Sequence, residues 1–116
     1  MLTKEQILGS SDLPTEAVEV PEWGGTVYVR TMSGTDRDAF EQSMIDGKKS
    51  SVGNLSNIRA RLAVKTVCDA SGQRLFADTD ADALGGKSAK ALDRVFEVAQ
   101  RLNGLGKKDI EALEGN

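Results

Sequence analysis

Two short valine alternations flank a bend of proline and glycine, and no other feature of the chain limits its fold so sharply. Val18 and Val20 bracket Glu19, Val27 and Val29 bracket Tyr28, and Pro21-Glu22-Trp23-Gly24-Gly25 lies between the two arms. Successive strand residues point to opposite faces, so each arm gathers its valines on one side. Proline cannot donate to a ladder and glycine accepts positive φ, so the chain reverses at the bend and the arms form a β-hairpin. Two strands alone are marginal in water. The valine face therefore needs cover, and the rest of the sequence offers helices. The expected class is α+β, a small N-terminal β-hairpin packed against a bundle of mostly antiparallel helices.

The helices announce themselves by caps and by period. Thr3 and Gln6 have capping-box spacing, which predicts a short helix over about Lys4 to Leu8 before Gly9-Ser10-Ser11-Asp12. Ser33 caps the next helix, Asp36 and Asp38 suit its positive end, and Phe40 and Met44 form its inward stripe. Asp46 to Gly53 reads as a polar loop. From about Leu55 to Cys68, Leu55, Ile58 and Leu62 share one face while Ala60, Val64, Val67 and Cys68 lie nearly opposite. A helix with two apolar faces sits between other elements, with Arg59, Arg61 and Lys65 keeping its rim soluble. Asp69 to Gly72 is a turn, Gln73 to Phe76 is extended, and Asp78 is placed to cap a brief helix that stops at Gly85-Gly86. Ser88 caps the longest clean helix, in which Leu92, Val95, Phe96, Ala99 and Leu102 recur every three or four residues. Phe96, at the centre of that stripe, is the expected core anchor against the 55–68 helix.

Asn103-Gly104 ends that helix, and Lys107 to Glu114 suits a last short helix with Ile110 and Leu113 on one side. Isolated helices under about 12 residues are marginal, so this strip must dock, either on its own domain or on a partner. Trp23 carries a similar choice. It can lie as a lid over one edge of the core with its N–H near water, or stand as an anchor for a partner protein, a role in which tryptophan is enriched. The candidate partner-binding residues are therefore Trp23, Ile110 and Leu113.

With 116 residues and 39% hydrophobic content, the chain suits one core and one domain, 1–116, in which 104–116 is a short helix or tail. A net charge of −3 argues against a general nucleic-acid binder and leaves only a local face of Arg59, Arg61 and Lys65 for such a role. The single cysteine, Cys68, cannot form an internal disulfide and suits a reducing compartment. No apolar run approaches the roughly 18 residues that span a bilayer, and Met1 to Gln6 has no signal-peptide core. These features point to a soluble protein of the cytoplasm.

Fragments of catalytic and ligand motifs fail on inspection. Asp78, Asp80 and Asp82 open like a calcium loop, but Ala83 stands where the sharp turn needs glycine and Ala89 where the bidentate glutamate belongs. Gly86-Lys87-Ser88 ends like a phosphate loop, but Ala81 replaces its first glycine and no apolar strand precedes it. There is no histidine to activate Cys68, to complete a serine triad or to supply the commonest zinc ligand. No catalytic, cofactor-binding or metal-ligating residue emerges, and no cofactor is expected.

The chain resembles the small tail assembly chaperones of long-tailed bacteriophages and prophages. The resemblance rests on Met1 to Leu8, on Val20-Pro21-Glu22-Trp23-Gly24-Gly25 with Val27-Tyr28-Val29-Arg30, on Ser33-Gly34 with Arg37 to Glu41, on Arg59-Ala60-Arg61-Leu62, and on Leu92 to Phe96. It implies a non-enzymatic protein that binds the tape measure protein, assists polymerisation of the tail tube protein around it, and works in the host bacterial cytoplasm without a cofactor. Partners would come from the same phage, with no membrane and no nucleic acid, and homo-oligomers stay open. Alternatives are a structural tail component, such as a connector or completion protein, and a small regulatory binding domain.

Overall fold

The computed structural model describes residues 1–48 and 57–105. The expected hairpin is formed by β1 (Thr15–Val20) and β2 (Gly25–Arg30), paired antiparallel with Val18 opposite Val27 and Glu16 opposite Val29. Its bend, Pro21–Trp23, is one turn of 3-10 helix closed by Gly24 at φ 76°, where a side chain would be strained. Val18, Val20 and Val29 are buried and Val27 packs partly against them, so the two-residue alternation does gather one apolar face.

A third strand, absent from the sequence reading, completes the sheet. The helix expected to run to Cys68 ends at Thr66, and β3 (Val67–Cys68) pairs antiparallel with β2, setting Val67 opposite Val29 and Cys68 opposite Tyr28. Val67 and Cys68 are both buried, so they serve the core as well in a strand as in a helix. Pattern alone could not decide between the two, because both placements bury the same side chains.

Helix α1 (Lys4–Leu8) has the full Thr3–Gln6 capping box and buries no residue. Helix α2 (Gly34–Lys48) starts where Ser33 Oγ accepts the Asp36 amide at 3.1 Å, and its Phe40 and Met44 are fully buried. It continues through Asp46 and Gly47, where a loop was expected; one helical glycine costs only about 1 kcal/mol, too little to stop a running ladder. Helix α3 (Ile58–Thr66) is the central element, packed against α2, α4 (Ala81–Gly85) and α5 (Ala89–Leu102). Its expected start at Leu55 lies outside the described residues.

Helix α5 is capped by Ser88, whose Oγ accepts the Ala91 amide at 3.3 Å, and it packs on α3, β1 and β2. Its buried line is Ala91, Leu92, Val95 and Ala99. Phe96 is not the core anchor that was expected: it is half-buried at the margin while Val95 sits fully buried at the centre. The two alanines lie one turn either side of Val95 on the buried line, and Phe96, the next residue, is rotated about 100° away from that line.

Charged side chains close the helix ends. Arg74 Nε donates to the Val64 carbonyl at 2.8 Å and Arg30 Nε to the Lys65 carbonyl at 3.5 Å, so arginines from distant segments satisfy the last turn of α3. Arg30 also pairs with Asp36 at 2.7 Å. Asn103 does the same for α5 by donating to the Ala99 carbonyl at 2.8 Å, while its Oδ1 accepts the Met32 amide at 2.6 Å. Together these contacts tie the end of β2 to the ends of α3 and α5.

Candidate functional site

At the turn end of the hairpin lies an apolar cleft of about 400 Å³, lined by Trp23, Phe76, Ala83 and Leu84, with Asp80 and Lys87 at its rim. Trp23 is brought there by the Pro21–Trp23 turn, which is clamped from outside. Arg94 Nε and Nη2 donate to both carboxylate oxygens of Glu22, at 2.8 and 3.1 Å. That guanidinium, together with the turn's own amide, holds the Glu22 carboxyl below the usual carboxylate range. Trp23 itself packs partly on the core. The lid role and the exposed-anchor role therefore meet in one residue, which covers an edge of the core with part of its ring and lines an open cleft.

The opposite wall comes from the segment before α4. Phe76 packs partly on the core, and its segment is pinned on both sides. Arg74 Nη2 reaches Asp78 at 2.7 Å, and Lys65 Nζ reaches the same carboxylate at 2.9 Å. Asp80 accepts the Ala77 amide at 2.8 Å. Asp78 is thus not the helix cap expected of it; Asp80 turns the chain and Asp78 anchors it. Nor is Lys65 a rim residue, since its side chain is only 8% exposed. Hydrogen bonds from Lys65 and then Arg74 hold the Asp78 carboxyl below its ordinary range.

The cleft's two titratable groups are Asp80, whose carboxylate accepts the Ala77 amide, and Lys87; the rest of its lining is apolar. What it can do is bury an apolar side chain, with one carboxylate and one ammonium at the rim to orient polar neighbours. The other expected features separate in space. Arg59 pairs with Asp93, Lys65 with Asp78, and Arg61 Nη1 donates to the Ser43 carbonyl at 2.9 Å, so the three cations each serve a different contact and form no common basic face. Asp82 accepts from Asn57 at 3.2 Å, leaving the three aspartates of the calcium-like run in three different roles. Among the described residues no group of three or more His, Cys, Asp or Glu is placed to hold a metal. Cys68 is buried, and burial raises its thiol above the ordinary value, which opposes thiolate chemistry. Among the described residues no helix is long and apolar enough to cross a membrane.

Of the residues singled out from sequence, Trp23 lines the cleft, whereas Ile110 and Leu113 lie outside the described residues. Phe76, Ala83 and Leu84 were missed. The apolar pair Leu75-Phe76 within a polar stretch was their one sequence signal, and nothing local shows that it meets Trp23 some fifty positions away.

Comparison with known proteins agrees with this picture. A family model described as phage tail assembly chaperone matches residues 9–114. The solved structure of the bacteriophage HK97 tail assembly chaperone is similar at a TM-score of 0.61 and 20% identity, over 84% of this chain and 90% of that one. At that identity the likeness establishes a shared fold. No curated protein matches the chain.

Proposed function

The chain belongs to the phage tail assembly chaperones, and on that premise we propose that it binds the tape measure protein and assists the tail tube protein to polymerise around it. It does so without catalysis or cofactor, as one domain over 1–116, in the cytoplasm of the host bacterium. The family's role is a non-catalytic one, and the described surface suits binding. The observation that carries this reading is the open cleft whose lining is mainly apolar and whose two walls are fixed by ion pairs. A preformed cleft receives an apolar side chain without first paying to order itself. Trp23 is its central contact, and the strip of Ile110 and Leu113 is a second contact with the same client.

The test is co-expression of the protein with the tape measure protein of its phage, followed by pull-down. Ala83 is exposed on α4 and lines the cleft, so Ala83→Glu places a charge there at little cost to folding. Ala83→Glu and Trp23→Ala should each cut retention of the tape measure protein at least tenfold. Full retention by both would move the contact away from the cleft, and full retention by Ile110→Asp with Leu113→Asp as well would overturn all three proposed contacts.

A further inference from the structure

The apolar cleft beside Trp23 meets a second hollow at Lys87. Lys87 lines the cleft with Trp23 and Leu84, and it also lines a smaller hollow of about 160 Å³ bounded in part by Asn57, Arg59, Gly85 and Ala89. The residue therefore stands where an apolar surface gives way to a polar one.

The carboxylates at and beside the two hollows already have partners. Asp80 accepts the Ala77 amide at 2.8 Å, Asp82 accepts from Asn57 at 3.2 Å, and Asp93 pairs with Arg59. Lys87 is exposed and forms no ion pair among the described residues. The unsatisfied charge along this groove is thus positive, and it lies at the edge of an apolar patch. Helices α3 and α5 also begin at the smaller hollow, and neither has an acidic residue in its first turn, so their positive ends add to the same field. Although the chain carries a net charge of −3, this place favours an anionic group.

We propose that the cleft selects a client segment in which a carboxylate lies within about four positions of an apolar anchor, the anchor seated against Trp23, Phe76 and Leu84 and the carboxylate on Lys87. The inference rests on the reading of the cleft as a client contact, and adds the chemistry by which a segment is chosen. Residues three or four apart share one face of a helix, and residues two apart share one face of a strand. Anchor and acid therefore reach the groove together in either conformation. Both walls hold their places for this, one through the Arg94 pair to Glu22 and the other through the Lys65 and Arg74 contacts of Asp78. An exposed ion pair adds little affinity by itself, so Lys87 acts mainly by discrimination. An apolar segment with a lysine in the place of the acid would bring a like charge against it.

Binding of the full-length protein to synthetic overlapping peptides that tile the tape measure protein of its phage tests this, read by fluorescence polarisation. The peptides held by the wild type should share an apolar residue with Asp or Glu close by. Changing that acid to its amide should weaken binding about threefold, and changing it to lysine about tenfold. Lys87→Glu should reverse the order, holding the lysine peptide better than the acidic one, while Lys87→Arg keeps the wild-type order. The wild type should also lose more affinity from low to high salt than Lys87→Gln does. If Trp23→Ala abolishes binding but neither the acid-to-amide change nor Lys87→Glu alters it, the charge inference fails and the cleft reading stands. If Trp23→Ala has no effect either, both fail. Absence of any bound peptide would overturn the inference too, because a segment chosen by anchor and charge binds outside its parent protein.

Discussion

Asp78→Asn separates the anchoring of the cleft wall from the fold beneath it. The carboxylate accepts from Lys65 at 2.9 Å and from Arg74 at 2.7 Å. The Arg74 pair spans one helical turn's worth of sequence near water, so it is worth about 0.3–0.5 kcal/mol. The Lys65 contact matters more, because the ammonium side chain is 8% exposed and loses its charged partner. A hydrogen bond to a charged group contributes about 1.5–3 kcal/mol. Asp78 itself is 61% exposed, so water screens the pair and the sum falls to about 1–2 kcal/mol. For a domain of this size that lowers the melting midpoint by roughly 4–8 °C. Lys65→Met should recover part of the loss when added to Asp78→Asn, since removing a stranded buried charge relieves its desolvation cost. The pH dependence follows from the same contacts. A carboxyl held below its ordinary value contributes stability above that value, about 3.9, and the contribution disappears as pH falls through the lower folded value. Thermal scans of the wild type and Asp78→Asn should therefore draw together as pH falls below 3.8 toward the lower folded value. A midpoint shift under about 1 °C at pH 7, or a gap that does not narrow at all as pH falls below 3.8, would refute the reasoning, since the wall would then be held by packing alone.

Other substitutions probe the core and the α5 terminus. Val95→Ala removes two methyl groups at a fully buried position and should cost about 2–3 kcal/mol by chemical denaturation. Phe96→Ala, at the half-buried margin, should cost less than the ~3–5 kcal/mol of a fully buried ring. Asn103→Ala leaves the Met32 amide without its side-chain acceptor and removes one of the two donors to the Ala99 carbonyl, which keeps the residue 103 amide; it should cost about 1–3 kcal/mol, read as a fall in the denaturation midpoint at unchanged slope. If the protein acts only during assembly, mass spectrometry of purified virions should not find it, whereas a structural tail component would appear at a fixed copy number.

Much of the architecture is legible because it depends on near neighbours. A serine three residues before an amide it can accept marks the starts of α2 and α5, and alternating valines mark the hairpin, whatever the rest of the chain does. The site was harder to read. Trp23 stood out by rarity, but Phe76 and Leu84 become wall residues only once the segment after β3 folds back past the hairpin turn. Asp78 reads locally as a cap, and only the approach of Lys65 and Arg74 makes it an anchor.

By itself, then, the sequence determined the hairpin, the capped helices and the absence of histidine chemistry, all of which rest on spacings of four residues or fewer, or on composition. The tertiary structure decided which half of an ambiguous apolar run became a strand, which residue of the α5 stripe took the centre, and where an apolar cleft opened. Those outcomes depend on how elements meet and which face each turns inward. Val67 and Cys68 bury equally well in a helix or a strand until β2 offers them a ladder, and Val95 takes the centre because it shares a face with the buried Ala91 and Ala99, from which Phe96 is rotated by about 100°.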